Sequence, residues 1–209
     1  MIVEESIGQP RSVDTDLDTF FDSIKTGSRR VRFQAMAEGM LAVNRPICIL
    51  ETGCMRKPKG NEGPEGDGCS SLVWDYVANR TQGGFISIDV NPENVEYAKS
   101  RLGPRSQVFC SESVKFLSAI SFLSQKVDLL YLDSMDYEGS KIRKAYSALH
   151  HAAELAAVWP WLAPGCLIAV DDCHSEYDGK HVMVKQFFDC LGIEPIVGDY
   201  IHVWRKPEF

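Results

Sequence analysis

The sequence predicts an α/β fold built around a doubly wound, mostly parallel sheet. From residue 47 onward, short apolar runs alternate with segments of helical periodicity, which is typical of β–α–β units. Each apolar run is nearly continuous and ends at a carboxylate, as expected for a strand that is covered on both faces. The runs are ICIL before Glu51, FISI before Asp89, VDLLYL before Asp133 and CLIAV before Asp171.

Two helices are predicted ahead of the first strand, over residues 13–24 and 29–43, from apolar residues at helical spacing. We therefore divide the chain into N-terminal accessory helices (1–45), which either share the domain or form a lid, and a main domain (46–209). A chain of 209 residues is within the usual range for one domain with a full core. The accessory helices are also the candidates for a homo-oligomer interface.

The later elements have start signals of their own. Asn91-Pro92 is typical of a helix opening, and Ser111 or Ser113 begins a further helix. Residues 137–162 carry apolar side chains at helical spacing, so a long helix is expected there. In the segment PIVGDYIHVWRK, two β-rich runs flank Gly198-Asp199, which predicts an antiparallel end to the sheet.

Composition and charge disfavour several classes of protein. The formal net charge of -7 has the wrong sign for binding phosphate backbones, so no nucleic-acid partner is expected. The longest apolar runs, such as residues 166–170, are far shorter than the ~20 residues that cross a bilayer, so no membrane partner is expected. The acidic N-terminus lacks the pattern of a secretory signal, which favours a cytoplasmic location.

Seven cysteines are scattered along the chain with no C-x-x-C motif, which is typical of reduced thiols. Cys166, Cys173 and His174 form the closest grouping of zinc-ligand residues, but their spacing is loose for a zinc site. Buried, inert cysteines are the simpler interpretation.

In an open parallel sheet, ligands bind beyond the carboxyl ends of the strands. After the first strand, Gly53 and Gly68 allow the backbone to approach a ligand, and a helix then offers free N–H groups at Ser70 and Ser71. Asp89, at the end of the second strand, is suited to accept hydrogen bonds from ribose hydroxyls. The chain has neither G-x-G-x-x-G nor G-x-x-x-x-G-K-[ST], which argues against a dinucleotide oxidoreductase and a nucleoside triphosphatase. For any single aspartate of this kind, a helix cap or a turn is the alternative interpretation.

Five motifs in order resemble the class I S-adenosylmethionine-dependent methyltransferases over about residues 47–206. This resemblance implies a Rossmann-like, seven-stranded sheet with an antiparallel C-terminal strand, S-adenosylmethionine as cofactor and methyl transfer as the reaction. The loop over residues 55–67 is longer than the family's usual turn. The motifs are ILETGC, FISIDVNPENVEYAKSRL, SESVKFL, KVDLLYLDSMDYEG and WLAPGCLIAVDDCH.

The resemblance also assigns residues to the cofactor. The methionine moiety would be held near the first strand, the ribose at the end of the second, and the adenine after the third, with Asp133 also beside the cofactor. The residues assigned are Glu51, Gly53, Gly68 and Ser70 for methionine, Asp89 with Val90 for ribose, and Glu112 with Ser113 for adenine.

Asp133, Asp171 and Asp172 predict a second site. Three carboxylates at neighbouring strand ends can share Mg²⁺, and clustering them without a cation would be costly. The same pattern resembles the metal-dependent O-methyltransferases of catechol and macrolide-sugar type. That resemblance implies a metal that binds neighbouring substrate oxygens and lowers the pKa of a hydroxyl. The alternative is that Asp171-Asp172 only caps a turn.

A general base is not identified by the sequence, and three residues are candidates. Asp136 stands where the relatives place Lys or His, three residues beyond the first metal aspartate, and His174 closely follows the acidic pair. From the long helix, His151 or His150 could face the crevice, although an exposed pair of His150 with Glu154 is the simpler interpretation. Lys180 is expected to be a solvated surface lysine. The catalytic candidates are therefore Asp136, His174 and His151.

The leading hypothesis is a methyltransferase that moves the methyl group of S-adenosylmethionine to a hydroxyl of a small molecule, of sugar or natural-product type, with Mg²⁺ assisting. The near alternative is a methyltransferase that uses no metal. The alternative from a different functional class is a non-catalytic module that binds the cofactor without catalysing a reaction. In each case the expected partner is a small molecule.

Overall fold

The computed structural model describes residues 15–24, 26–57, 69–120 and 125–208. Seven strands form one sheet, and two short strands form a separate pair. The helices are α1 (Thr15–Ser23), α2 (Arg30–Leu41), α3 (Ser70–Thr81), α4 (Pro92–Arg101), α5 (Ser113–Ser118), α6 (Lys141–Val158) and α7 (Val182–Cys190). The strands are β1 (Cys48–Thr52), β2 (Gly84–Asp89), β3 (Ser106–Cys110), β4 (Val127–Leu132), β5 (Leu162–Val170), β6 (Cys173–Ser175), β7 (Asp178–Gly179), β8 (Val197–Gly198) and β9 (His202–Arg205).

The strand order in the main sheet is β3-β2-β1-β4-β5-β9-β8. The first five of these strands pair in parallel, whereas β9 pairs antiparallel with both β5 and β8. The chain progresses outward from β1 in one direction to β3 and then in the other direction to β5, so the order reverses between β1 and β4. The predictions of a doubly wound sheet and of an antiparallel end are both confirmed.

The core lies on both faces of the sheet, as the continuous apolar runs predict. All residues of β1 and β4 are buried, and alternate residues point to opposite faces. On one face, Tyr131 packs with Phe33 of α2 and Trp74 of α3. On the other, Trp204 of β9 stacks on Phe188 of α7, with ring centroids 5.2 Å apart.

The N-terminal helices pack against this core. Phe21 of α1 and Phe33 of α2 are fully buried, and Phe20 stacks on Tyr76 of α3 with ring centroids 4.2 Å apart. The apolar sides of α1 and α2 therefore serve the chain's own core. The division at residue 45 and an oligomer interface on these helices stay predictions.

Helix starts follow the expected local chemistry with two differences. The Asn91 side chain accepts a hydrogen bond from the Glu93 N–H at 2.9 Å, and Pro92 begins α4 as predicted. α5 begins at Ser113, one of the two predicted starts, but its cap is the Glu112 side chain, whose carboxylate accepts from the Lys115 N–H at 2.7 Å. The long predicted helix is shorter than expected, because α6 begins at Lys141, after a Ser140 cap, and Val158 is its last residue.

All seven cysteines are free, and five of them are buried, as expected for thiols that serve packing. Among the described residues, every helix is too short or too polar to span a membrane.

Candidate functional site

The ends of β1, β2 and β4 meet where the strand order reverses. Gly53, directly after β1, has a φ of +84°, and a Cβ atom on it would lie 2.4 Å from the carbonyl oxygen of Asp133. The Gly53 N–H donates to the Ile88 carbonyl at 2.7 Å, which ties β1 to the end of β2. Only glycine allows the backbone at residue 53 to approach Asp133 this closely without strain. This explains why a glycine occupies the position where the three strand ends converge.

A cavity of about 200 Å³ opens at this convergence. Sites for whole small molecules usually measure about 300–1,000 Å³, so the described residues enclose a space for part of one. Five residues that the resemblance assigned to the cofactor line the cavity together. They are Gly53, Asp89, Val90, Glu112 and Ser113.

Five further residues line the same cavity without having been predicted for the cofactor. Ser111 and Ile88 adjoin predicted residues in the chain, so their place follows from the strand ends. Ser134 and Met135 follow β4, and Ser134 adjoins Gly53. The set is Ile88, Ser111, Ser134, Met135 and His150.

Asp89 is held at the rim by backbone groups. Its carboxylate accepts hydrogen bonds from the Cys54 N–H at 3.2 Å and from the Asn91 N–H at 2.7 Å. These contacts fix the side chain between the loop after β1 and the start of α4. A carboxylate oriented in this way can accept from a diol that enters the cavity.

Glu51 and Ser70 lie beneath the cavity. The Glu51 side chain is fully buried, and it accepts from Ser70 Oγ at 2.7 Å, Ser71 Oγ at 2.6 Å and Ser87 Oγ at 2.6 Å. Three hydroxyl donors make the burial of a carboxylate tolerable, and they join β1, β2 and the start of α3. Contact of Glu51 and Ser70 with methionine stays a prediction, and Gly68 lies outside the described residues.

His150 lines the cavity, which agrees with the alternative that a histidine of the long helix faces the crevice and not with the simpler interpretation of an exposed pair. Its Nε2 lies 3.0 Å from Ser113 Oγ and 3.2 Å from Glu154 Oε1, while Glu154 is fully buried and accepts from Thr52 Oγ1 at 3.1 Å. Glu154 raises the pKa of His150. The i to i+4 pair was therefore anticipated correctly, but it faces the sheet and not the solvent. The pattern of apolar and polar residues along α6 does not reveal whether the His150–Glu154 pair faces the sheet or the solvent.

His151 is not positioned to act as a catalytic base toward a ligand in the crevice. It is fully buried, with Nδ1 2.7 Å from the Ser147 carbonyl oxygen, and burial lowers its pKa to about 4. Successive residues of an α-helix point in directions about 100° apart. His151 therefore points into the core, whereas His150 faces the cavity.

Asp133, Asp171 and Asp172 lie together, as the sequence predicts, but two cations of the chain lie among them. Lys180 Nζ contacts Asp133 Oδ1 and lies 2.9 Å from Asp172 Oδ2. Arg29 Nε lies 2.6 Å from Asp171 Oδ2, and Arg29 Nη2 lies 3.2 Å from Asp172 Oδ1. We call these five residues the charge cluster. The expectation of a solvated Lys180 is wrong, because its side chain is fully buried within this cluster.

Two tyrosine hydroxyls donate hydrogen bonds to carboxylates of the charge cluster. Tyr131 OH donates to Asp171 Oδ2 at 2.6 Å, and Tyr200 OH donates to Asp172 Oδ1. The Arg29 guanidinium lies over the Tyr200 ring, 4.8 Å from its centroid. With the Asp172 N–H, which donates to Asp171 Oδ1, these groups contact five of the six carboxylate oxygens.

The carboxyl groups of the cluster differ in their affinity for a proton. Burial raises the pKa of Asp133, Lys180 opposes this rise, and the charges of Asp171 and Asp172 add to it. Burial alone would also raise the pKa of Asp172, but Lys180 and Tyr200 lower it to about 2. A raised and a lowered pKa side by side are typical of sites that move protons.

The remaining catalytic candidates lie at the edge of this region. Asp136 is exposed and pairs with Arg56, whose Nη2 lies 2.6 Å from Asp136 Oδ1. His174 is exposed, and its ring centroid lies 5.8 Å from that of Tyr137 and 5.9 Å from that of Tyr200. Their catalytic roles stay predictions.

Comparison with known proteins matches residues 66–173 to a family model described as a methyltransferase domain. No curated protein sequence matches the chain. Among solved structures, the chain resembles MycE methyltransferase of the mycinamycin biosynthetic pathway, with Mg and SAH, at a TM-score of 0.63 and 16% identity. That match covers 94% of this chain and 56% of the MycE chain.

Two further solved structures share the fold. The O-methyltransferase NovP matches at a TM-score of 0.56 and 12% identity, over 92% of this chain and 80% of that chain. NSun6 from Pyrococcus horikoshii, with SFG, matches at a TM-score of 0.56 and 15% identity, over 83% of this chain and 52% of that chain. At these identities the likeness establishes the fold.

The family model covers more than half of the 209 residues, from residue 66 to the start of β6. It thus includes the ends of β2, β4 and β5, which carry Asp89, Asp133 and Asp171. The resemblance to class I methyltransferases is confirmed, and the chain belongs to the methyltransferase-domain family.

Proposed function

We propose that the chain transfers the methyl group of S-adenosylmethionine to a hydroxyl of a small molecule. The observation that carries this proposal is the cavity at the strand-order reversal. Five residues that the family resemblance assigns to the cofactor line it from three different strand ends, which no single local motif would bring about. The absence of a Cβ at Gly53 and the backbone-held carboxylate of Asp89 fit a nucleoside that enters there.

In this proposal, Asp89 and Val90 hold the ribose, and Glu112 and Ser113 lie at the adenine. Glu51, Gly53 and Ser70 would lie toward the methionine moiety, together with Gly68. S-adenosylmethionine supplies an electrophilic methyl group when it is bound. The protein's contribution is then to place an acceptor oxygen in line with that carbon and to exclude water.

The charge cluster lies on the acceptor side of this arrangement. Asp133 is joined in the chain to Ser134 and Met135, which line the cavity. We propose Asp133 as the group that takes the hydroxyl proton, because burial raises its pKa and Lys180 fixes its position. Asp136 and His174 remain the alternatives, whereas the interior position of His151 argues against it.

Magnesium does not fit the charge cluster as the residues are arranged. Five of the six carboxylate oxygens contact Lys180, Arg29, a tyrosine hydroxyl or a backbone N–H. A divalent cation would have to displace two positive side chains, one of them fully buried. We therefore propose the metal-independent form of the reaction, in which Lys180 and Arg29 supply the positive charge.

For the acceptor we propose a hydroxyl of sugar or natural-product type. MycE has been seen with mycinamycin VI, and NovP is an O-methyltransferase. The chain spans only about half of the MycE chain.

Cofactor binding is tested by calorimetric titration with S-adenosylhomocysteine. We expect Asp89→Ala to weaken binding about 10- to 100-fold, because a charge-assisted hydrogen bond contributes about 1.5–3 kcal/mol. Asp89→Asn, which keeps one acceptor oxygen, should lose less. Glu96→Ala is the matched control, since Glu96 is exposed on α4, the helix that follows Asp89, and pairs with Lys99. Wild-type protein that binds no S-adenosylhomocysteine would contradict the proposal.

Metal dependence is tested by methyl transfer from labelled S-adenosylmethionine to a panel of hydroxyl acceptors, with and without EDTA. We expect the rate to stay within about twofold, because Lys180 and Arg29 already neutralise the carboxylates. Loss of turnover with EDTA and its recovery with Mg²⁺ would contradict the metal-independent form of the reaction. Cofactor binding without transfer to any acceptor would favour the non-catalytic module.

A further inference from the structure

Three side chains with metal-ligand chemistry meet outside the site described above. Cys173 begins β6, His181 directly precedes α7, and His202 begins β9. One potential ligand atom from each lies within 4.8 Å of the other two, and all three residues are buried. The imidazole rings of His181 and His202 lie with their centroids 4.0 Å apart. We call this set the Cys-His₂ cluster.

Three of the four imidazole nitrogens of this cluster are buried without a hydrogen-bond partner among the described residues. Both nitrogens of His181 and Nδ1 of His202 are buried and unpaired, although His181 is fully buried and His202 is only 7% exposed. Buried polar atoms in proteins are nearly always paired. Unpaired nitrogens that converge on a common point, beside a thiol, therefore indicate a missing ligand.

The backbone is shaped so that His181 can lie against β6. Gly179 has a φ of +148°, and a Cβ atom on it would lie 2.8 Å from His181 Nδ1 and 2.8 Å from Cys173 Cα. Any other residue at this position would push the imidazole away from the thiol. The glycine thus allows two of the three side chains, those of Cys173 and His181, to lie close together.

We propose that Cys173, His181 and His202 bind a Zn²⁺ ion. Thiolate and neutral imidazole are the ligands that zinc prefers in proteins, whereas magnesium and calcium prefer oxygen. The thiol loses its proton to solvent as the zinc–sulfur bond forms, and both imidazoles bind through a nitrogen lone pair.

A fourth position is open toward an adjoining cavity of about 440 Å³. Cys173 and His202 line this cavity, so a water molecule there would complete a tetrahedron. The sequence grouping of Cys166, Cys173 and His174 thus contained one correct ligand. The other two lie 8 and 29 residues further along the chain, which is why spacing did not reveal them.

The role that fits this position is structural. The ion would link three parts of the chain: β6, β9 and the segment before α7. Two of its ligands, Cys173 and His181, directly follow Asp172 and Lys180 in the chain. It would therefore fix the segment that carries Lys180 into the charge cluster. This proposal does not depend on the proposed methyl transfer.

The test uses the purified full-length protein and Co²⁺ as a spectroscopic substitute for zinc. The protein is first stripped with a chelator and then titrated with Co²⁺, while elemental analysis measures zinc in the untreated protein. We expect one equivalent of metal, the visible bands of tetrahedral Co²⁺, and a thiolate-to-cobalt charge-transfer band in the near ultraviolet.

Variants assign the ligands. Cys173→Ser should abolish the charge-transfer band, and His202→Gln should weaken Co²⁺ binding at least tenfold. Cys190→Ser is the matched control, because Cys190 is an exposed free thiol at the end of α7 and should leave the spectrum unchanged. Circular dichroism establishes that each variant is folded.

Three results would overturn the proposal. Wild-type protein that takes up no Co²⁺ would show that water, and not a metal, satisfies the imidazole nitrogens. A charge-transfer band that survives in Cys173→Ser would place the thiolate ligand elsewhere. If Cys173→Ser does not fold, unchanged Co²⁺ affinity in His202→Gln would be decisive, since His202 lies at the rim of the cluster.

Discussion

Replacement of Lys180 with methionine is expected to lower the free energy of unfolding by about 3–5 kcal/mol, which is typical when one partner of a buried ion pair is removed. Lys180 is fully buried and contacts carboxylates of both Asp133 and Asp172. Methionine has a similar length but no charge, so both carboxylates would lose their shared counterion. Urea denaturation followed by circular dichroism at neutral pH measures the change.

Two companion variants separate charge from packing. In Lys180→Met combined with Asp133→Asn, the loss should be partly recovered, because one uncompensated charge is removed. Lys185→Met is the matched control, since Lys185 pairs with the half-exposed Asp189 at 2.8 Å and should cost less than about 1 kcal/mol. Equal losses in Lys180→Met and Lys185→Met would mean that the ion pairs of the cluster do not hold the strand ends together.

Gly53→Ala is expected to lower the free energy of unfolding by about 2–5 kcal/mol and to abolish binding of S-adenosylhomocysteine. Alanine at a φ of +84° is strained, and its Cβ would lie 2.4 Å from the Asp133 carbonyl oxygen. The ends of β1 and β4 would have to separate. Because Gly53 and Ser134 both line the cavity, its shape would change as well.

Gly39→Ala provides the control for this prediction. Gly39 lies within α2, and a Cβ atom on it would meet nothing within 4 Å. Alanine there should raise the free energy of unfolding by up to about 1 kcal/mol, because glycine is a poor helix former. Denaturation and calorimetry on both variants check the pair. Normal cofactor binding by Gly53→Ala would show that the cavity at the strand ends is not the cofactor site.

Much of the fold could be predicted because its signals are local. Continuous apolar runs such as residues 127–132 indicate strands covered on both faces, and the structure buries every residue of β4. The Asn91-Pro92 opening and the turn at Gly198-Asp199 were also recognisable within a few residues. Helix ends were less certain, because Ser140 and Glu112 cap helices through contacts that many other positions could offer.

The gathering of residues assigned to the cofactor around one cavity was predictable for the same reason. Parallel strands that end in a carboxylate bring those carboxylates to one edge of the sheet, so Asp89 and Gly53 were placed correctly relative to the cavity. The orientation of His150 was not predictable. A histidine four residues before a glutamate has the same spacing on a buried face of a helix as on an exposed one.

The sequence by itself thus determined the order of strands and helices and the gathering of Asp133, Asp171 and Asp172 at one edge. Only the tertiary structure decided how their charge is balanced. Arg29 lies 142 residues before Asp171, and Lys180 lies 47 residues after Asp133. Local periodicity carries no information about pairs so far apart, because their contact depends on how α2 and the segment before α7 pack against the sheet.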